Sequence, residues 1–232
     1  HKSAKMMKRS KAIEQRRETA AEEKAGLLRN IESAESLKLH PLAYHSRQLV
    51  RLSGVDVRYG STLAVQGASL TVEQGDRVAL TGPNGSGKTT LLRLVCGDSL
   101  DYSGELWTGS GLKISYVPQR TDFLSGTLQQ YADDCGVDES LLLAILRKLD
   151  FSRTQFEKDM SDFSQGQKKK VLIARSLCEQ AHLYVWDEPL NYIDVLSRIQ
   201  LESLIEAYAP TLLFVEHDQA FCRKIATKTV VL

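Results

Sequence analysis

The sequence predicts an α/β fold with a parallel core sheet, an antiparallel β portion ahead of it and a helical insertion within it. Three observations lead there. Short β-rich runs from about Gln48 give way, after residue 80, to strands that alternate with helices, the pattern of a parallel sheet with crossover helices. A glycine-rich turn joins a short apolar strand to a helix at residues 82–88. Residues 122–160 read as mainly helical, and Leu141 to Leu149 is strongly apolar. With 232 residues, 42% hydrophobic and 25% charged, the chain has the composition of an ordinary globular protein, which excludes a wholly disordered, collagenous or membrane-embedded one. No apolar run approaches the roughly 20 residues that span a bilayer. The basic N-terminus has no apolar stretch behind it, so it is not a secretory signal.

The first element predicted is one long helix from Ser3 to about Leu39. It holds no proline, one glycine (Gly26) and mostly good helix formers. Met6, Ile13, Ala20 and Leu27 recur every seven positions, but the matching Ser10, Arg17 and Lys24 are not apolar. Half a coiled-coil seam is therefore present, which suits one arm of a helical hairpin. His40 and Pro41 end it. No N-cap precedes it, so the chain is expected to begin inside a helix, as a piece of a longer protein. The net charge is only +1, yet residues 1–40 hold ten Lys/Arg against six Asp/Glu. A basic segment on a slightly acidic body suggests a polyanion partner, or else a solvated helix surface.

The next runs, Leu49 to Val57 and Ala68 to Val72, read as antiparallel strands joined through Tyr59-Gly60. Arg77 to Leu80 is a short strand, Lys88 to Cys96 a helix ended by Gly97, and Lys113 to Val117 a strand. Beyond the helical insertion come a helix at Gln165 to Glu179, a strand at Leu183 to Trp186 and a helix at Val195 to Tyr208. Thr211 to Val215, Gln219 to Ile225 and Lys228 to Leu232 follow as strand, helix and strand. Cys96, Cys135, Cys178 and Cys222 stand far apart with no CxxC pair, and read as reduced, ordinary residues.

Gly82-Pro83-Asn84-Gly85-Ser86-Gly87-Lys88-Thr89-Thr90 fits GxxxxGK[ST] in the right context, after a strand and before a helix. Such glycines let backbone N–H groups turn inward around phosphate oxygens, and the helix N-terminus adds positive potential there. Lys88 is expected to reach the β- and γ-phosphates and Thr89 to ligate Mg²⁺. The strand ending in Asp187-Glu188 supplies two carboxylates. Asp187 is expected on the magnesium side, and Glu188 is placed to polarise an attacking water. At Phe163-Ser164-Gln165-Gly166-Gln167-Lys168, Ser164 reads as an N-cap with Gln167 at N3, a capping box that turns free N–H groups and a hydroxyl towards an anion.

That last motif resembles the Leu-Ser-Gly-Gly-Gln signature of ATP-binding-cassette (ABC) ATPases, with Gln165 where glycine is usual. A side chain there is expected to narrow the approach of a partner. Tyr116-Val117-Pro118-Gln119 resembles the Q-loop, Asn191-Tyr192-Ile193-Asp194 the D-loop, and Glu216-His217-Asp218 the switch loop. Tyr59, 29 residues before Lys88, resembles the aromatic that stacks on adenine. The resemblance implies an ATPase whose ATP and Mg²⁺ are held by the phosphate loop with Gln119, Asp187, Glu188 and His217. Ser164, Gly166, Gln167 and Asp194 would complete the site of an opposite ABC domain, so the site is composite.

A basic helix directly before the cassette resembles the second arm of the interdomain linker of ABC-F proteins, which carry two ATPase domains and act on the ribosome. Residues 1–45 are then the linker arm and 46–232 the ABC ATPase domain, with a helical subdomain at about 121–165. The resemblance implies a second ABC domain of the same full-length chain as partner, ribosomal RNA against the basic helix, no membrane, and a cytoplasmic, ribosome-associated location. The wording Asp187-Glu188-Pro189-Leu190-Asn191-Tyr192-Ile193-Asp194 resembles most the branch that confers antibiotic resistance by dislodging drugs near the peptidyl-transferase centre. A housekeeping ABC-F translation factor, a transporter ATPase subunit and a DNA-repair ATPase stay open beside it, as does pairing of this chain with itself.

Overall fold

The computed structural model describes Leu37, Leu39 and residues 41–232. The helix expected over Ser3 to about Leu39, and most of the 1–45 arm with it, lies outside the described residues. In chain order the first elements are β1 (Gln48–Tyr59), β2 (Thr62–Glu73), β3 (Arg77–Thr81), α1 (Lys88–Val95), β4 (Asp101–Thr108) and β5 (Ile114–Val117). Next come α2 (Leu128–Cys135), α3 (Glu139–Lys148), α4 (Gln165–Cys178), β6 (Leu183–Asp187), α5 (Val195–Tyr208), β7 (Leu212–Val215), α6 (Gln219–Ile225) and β8 (Lys228–Val231).

β1 and β2 form an antiparallel hairpin, with Val50 opposite Val72 and Leu52 opposite Leu70. Buried Leu52 is followed by buried Val55, a spacing of three that a strict strand forbids. A register shift between them restores the alternation, so Val55 and Val57 face the same core. β4 pairs with the other edge of β1, which makes a three-stranded sheet in the order β2-β1-β4. The sequence reading left β4 out. Every β4 residue but Leu106 is exposed, so there is no in–out alternation to read.

The second sheet has five strands in the order β5-β6-β7-β3-β8, each pairing parallel. All of β6 and β7 is buried, as expected of strands covered on both faces. In such a sheet, ligands bind beyond the carboxyl ends of the strands. The turns after β3, β5, β6 and β7 carry the glycine-rich loop, Gln119, Glu188 and His217 respectively. The topology alone therefore gathers the expected site residues at one edge.

The insertion is less helical than expected. α2 starts at a capping box of Thr127 and Gln130, and α3 at an N-cap of Asp138. After α3 only two single turns of 3₁₀ helix follow, at Arg153–Gln155 and Met160–Asp162. Phe163 is buried edge-on against Phe151, with ring centroids 5.3 Å apart. That contact anchors the entry to α4 one residue before Ser164.

Candidate active site

The loop after β3 turns at Gly87, whose backbone is left-handed (φ 88°). A Cβ there would stand 2.3 Å from the Ala64 carbonyl oxygen, so only glycine lets the loop pass under β2. α1 begins at the next residue and buries Leu91, Leu92, Leu94 and Val95. The first turn of α1 is thereby held rigidly at the mouth of the loop. The buried Lys88 ammonium donates to the carbonyls of Gly82 (2.9 Å) and Pro83 (2.8 Å).

A cavity of about 670 Å³ opens here, lined by Asn84, Gly85, Gly87, Lys88, Thr89, Thr90, Gln119, Glu188 and His217, with Thr62–Ala64 on the far wall. Lys88, Glu188 and His217, expected from separate motifs, thus share one pocket. Tyr59 is at the rim: half-exposed, its hydroxyl 3.4 Å from Thr90 Oγ1. Gly82 lines an adjoining cavity of about 320 Å³, with Lys88, Glu216 and His217. Ser86 does not face the main cavity, and its hydroxyl is buried without a hydrogen-bond partner.

Glu188 is the hub. Gln119 Nε2 donates to its Oε2 at 2.9 Å, Asn191 Nδ2 donates to the same oxygen, and His217 Nε2 lies 3.2 Å from Oε1. Its backbone is left-handed (φ 49°), a sparsely populated region for a residue with a side chain. Its N–H donates to the Val215 carbonyl at 2.9 Å, which ties the end of β6 to the end of β7. Buried Glu216 strengthens that tie: it accepts from the N–H of His217 (2.7 Å) and of Leu190 (3.0 Å).

Asp187 is fully buried, and among the described residues neither carboxylate oxygen has a partner in normal hydrogen-bond geometry, the Thr89 hydroxyl standing only nearby. Burial raises its pKa; the Thr89 hydroxyl pulls it down, Glu188 adds to the rise, and Lys169 and Lys88 oppose it. A buried acid with two unpartnered oxygens beside a threonine hydroxyl fits a divalent cation. Among the described residues no group of three or more His, Cys, Asp or Glu side chains is set to hold a metal. A cation here would share its ligands with phosphate oxygens and water.

The remaining expected residues do not line this cavity. Ser164 Oγ accepts from the Gln167 N–H at 3.2 Å, and Gln167 Oε1 accepts from the Ser164 N–H at 2.9 Å, the expected capping box. Gly166 lies so close to the D-loop that a Cβ would stand 2.3 Å from the Tyr192 carbonyl oxygen. Asp194, expected to reach across to an opposite domain, is engaged within its own chain. It caps α5 through Ser197 and meets the Lys170 ammonium at 2.7 Å. Burial works against its ionisation, but the hydrogen bonds from Lys170 and Ser197 prevail and hold it down at about 2. Gln165, expected to narrow a partner's approach, is exposed and accepts a hydrogen bond from Thr121 of its own chain.

Sequence reading gave no role to Glu216 or Lys169. Lys169 is fully buried, and burial lowers its ammonium to about 8 against the pull of Asp187, Glu188 and Glu216. The four cysteines are free, and burial pushes the Cys96 and Cys178 thiols up to about 12, in keeping with an ordinary packing role.

Comparison with known proteins agrees with this fold. The family model described as "ABC transporter" matches residues 65–191. ATP-binding protein Uup of Caulobacter vibrioides is 32% identical over 195 residues, covering 80% of this chain and 32% of that protein. Ribosome protection protein VmlR of Bacillus subtilis is 29% identical over 191 residues, covering 80% of this chain and 34% of that protein. Zinc import ATP-binding protein ZnuC of Pseudomonas aeruginosa is 34% identical over 178 residues, covering 73% of this chain and 66% of that protein. The chain thus spans about a third of the length of Uup and VmlR. A bacterial ABC transporter cassette solved as a dimer superposes with a TM-score of 0.67 over 79% of this chain and 94% of that one; at 22% identity it shows the fold. With a family model over residues 65–191 and a cavity beside the glycine-rich loop at the carboxyl edge of a parallel sheet, the chain belongs to the ABC ATPases, as a nucleotide-binding domain.

Proposed function

We propose that this domain is the ATP-hydrolysing cassette of an ABC-F protein that acts on the ribosome in the cytoplasm and confers antibiotic resistance by dislodging drugs near the peptidyl-transferase centre. The observation that carries this reading is the likeness to ribosome protection protein VmlR across 80% of the chain, together with the basic segment over residues 1–40. Phosphate-rich RNA attracts such a segment through counterion release, without reading bases.

In the mechanism we propose, backbone N–H groups of the glycine-rich loop and the start of α1 cradle the phosphates, with Lys88 on the β- and γ-phosphates. The Tyr59 ring, exposed at the rim, stacks on adenine. Asp187, with the Thr89 hydroxyl and Gln119, would hold Mg²⁺, which when bound neutralises charge on the phosphate oxygens. Glu188 accepts a proton from the attacking water; Gln119 and Asn191 fix one of its oxygens, and His217 stands at the other. His217 also faces the γ-phosphate. The Ser164 hydroxyl, the Gly166 N–H and the loop around Asp194 complete the site of a second ABC domain, with Gln167 holding Ser164 in place through the capping box. ATP is then glue between two cassettes, and hydrolysis parts them. Exposed Tyr192, Val195 and Leu196 beside the signature support such an apposed surface.

The test is ribosome co-sedimentation of the intact protein carrying Glu188→Gln in ATP. We expect the variant to stay on ribosomes, to release them at high salt, and to lose resistance in cells. Failure to sediment with ribosomes sinks the ribosomal reading. A second reading, the ATPase subunit of a transporter, is favoured by the 34% identity to ZnuC over 66% of its length. Among the described residues no helix is long and apolar enough to cross a membrane, and the test of that reading is to look for membrane subunits that bind the domain. Their co-purification with the intact protein would decide for it. Sizing the wild type and Glu188→Gln in ATP tells whether two copies of this chain pair.

A further inference from the structure

α4 carries three consecutive lysines, and all three are buried. Lys170 has a carboxylate partner in Asp194. Lys169 has none among the described residues: no part of it is exposed, and its hydrogen bonds go to three main-chain carbonyls, those of Pro118 (3.0 Å), Gln119 (3.1 Å) and Asp187 (3.4 Å). An ammonium has three N–H donors, so each is matched to one oxygen. Burying a charge is costly even when its donors are matched, and an apolar side chain would fill a helix–sheet interface without that cost. What a lysine adds is a fixed point shared by α4, the end of β5 and the end of β6.

The segments so joined carry the groups that meet at the hub. Gln119, held by its carbonyl, sends its amide to Glu188 Oε2 at 2.9 Å. Asp187, held by its carbonyl, is followed by Glu188 in its left-handed backbone. One turn earlier on the same face of α4, Gln165 accepts from Thr121. The grip on residues 118–121 therefore extends to the signature end of the helix.

We propose that Lys169 is a positioning residue for ATP hydrolysis: by tying the carbonyls of Pro118, Gln119 and Asp187 to α4, it sets the separation of the Gln119 amide and the Glu188 carboxylate. The proposal rests on Glu188 as the base. Lys169→Met keeps the unbranched stem, one atom shorter, and removes its donors. Misplacement of reacting groups by about 1 Å costs on the order of 10²-fold, so kcat of the intact protein should fall by about that factor. KM for ATP should stay within about threefold, because the phosphate loop is untouched. Lys169→Arg, which restores N–H donors, should recover most of the lost kcat. Should Lys169→Met not fold, Lys169→Leu, which also has no donors, is read the same way against Lys169→Arg. Wild-type kcat in the donor-free variant, or equal impairment of the Met and Arg variants, overturns the proposal and leaves the base untouched. Glu188→Gln measured alongside tests the base itself, and normal turnover by that variant would remove the ground on which the clamp stands.

Discussion

At the carboxyl edge of the parallel sheet, polar side chains from three turns bend inward onto one carboxylate. At the signature face the polar groups satisfy one another, Ser164 with Gln167 and Asp194 with Lys170, while Tyr192, Val195 and Leu196 point into solvent. The first region is organised around one carboxylate, the proposed base, and the second around the face proposed to meet another domain. The same helix, α4, serves both, since its first turn forms the signature and its buried Lys169 bonds the turns that carry Gln119 and Glu188.

Four substitutions break or sharpen that contrast. The largest effect is expected at the hub. Glu188→Gln should lower hydrolysis by ~10²–10⁴-fold with ATP binding retained, as read by phosphate release beside nucleotide titration. Gly166→Ala comes second. Alanine favours a helix over glycine by about 1 kcal/mol, but its Cβ would meet the Tyr192 carbonyl at 2.3 Å. Overpacking of that kind costs about 1–3 kcal/mol, so a net loss is expected by denaturant unfolding. A gain would mean that the D-loop yields.

Ser164→Ala is third. Loss of the cap should destabilise the fold by about 1 kcal/mol, a melting shift of roughly 2–4 °C for a domain of this size. ATP binding by this chain should be unchanged, since Ser164 does not line the pocket. The smallest effect is in acid. A carboxylate held at about 2 adds stability that is complete above the ordinary aspartate range and is lost as pH falls from about 4 towards 2. Asp194→Asn should lower the unfolding midpoint near neutrality and flatten its fall with pH between about 4 and 2, so that the two proteins converge in acid.

How much of this could be read in advance depends on how local the signal is. The glycine-rich loop and the capping box were legible because each is a short run whose chemistry is complete within itself. Val195–Tyr208 and Gln219–Ile225 match their expected helices because side-chain caps, Asp194 and Asp218, stand just before them. β4 was invisible because pairing with β1, not burial, makes it a strand. The burial of Lys168, Lys169 and Lys170 was not legible, because it comes from the packing of α4 and not from the residues themselves. The role of Asn191 at Glu188 was equally hidden, because it depends on a backbone turn that no residue pattern announces.

The closed-in lysine run has a practical consequence. A protease that cuts after basic residues should find three adjacent target bonds here, none of them reachable while the domain stays folded. Cleavage at that spot then reports opening of the whole domain and not fraying of a loop. Peptides ending at Lys168, Lys169 or Lys170 would serve as an internal clock for how often the cassette comes apart, and for how far bound nucleotide slows it.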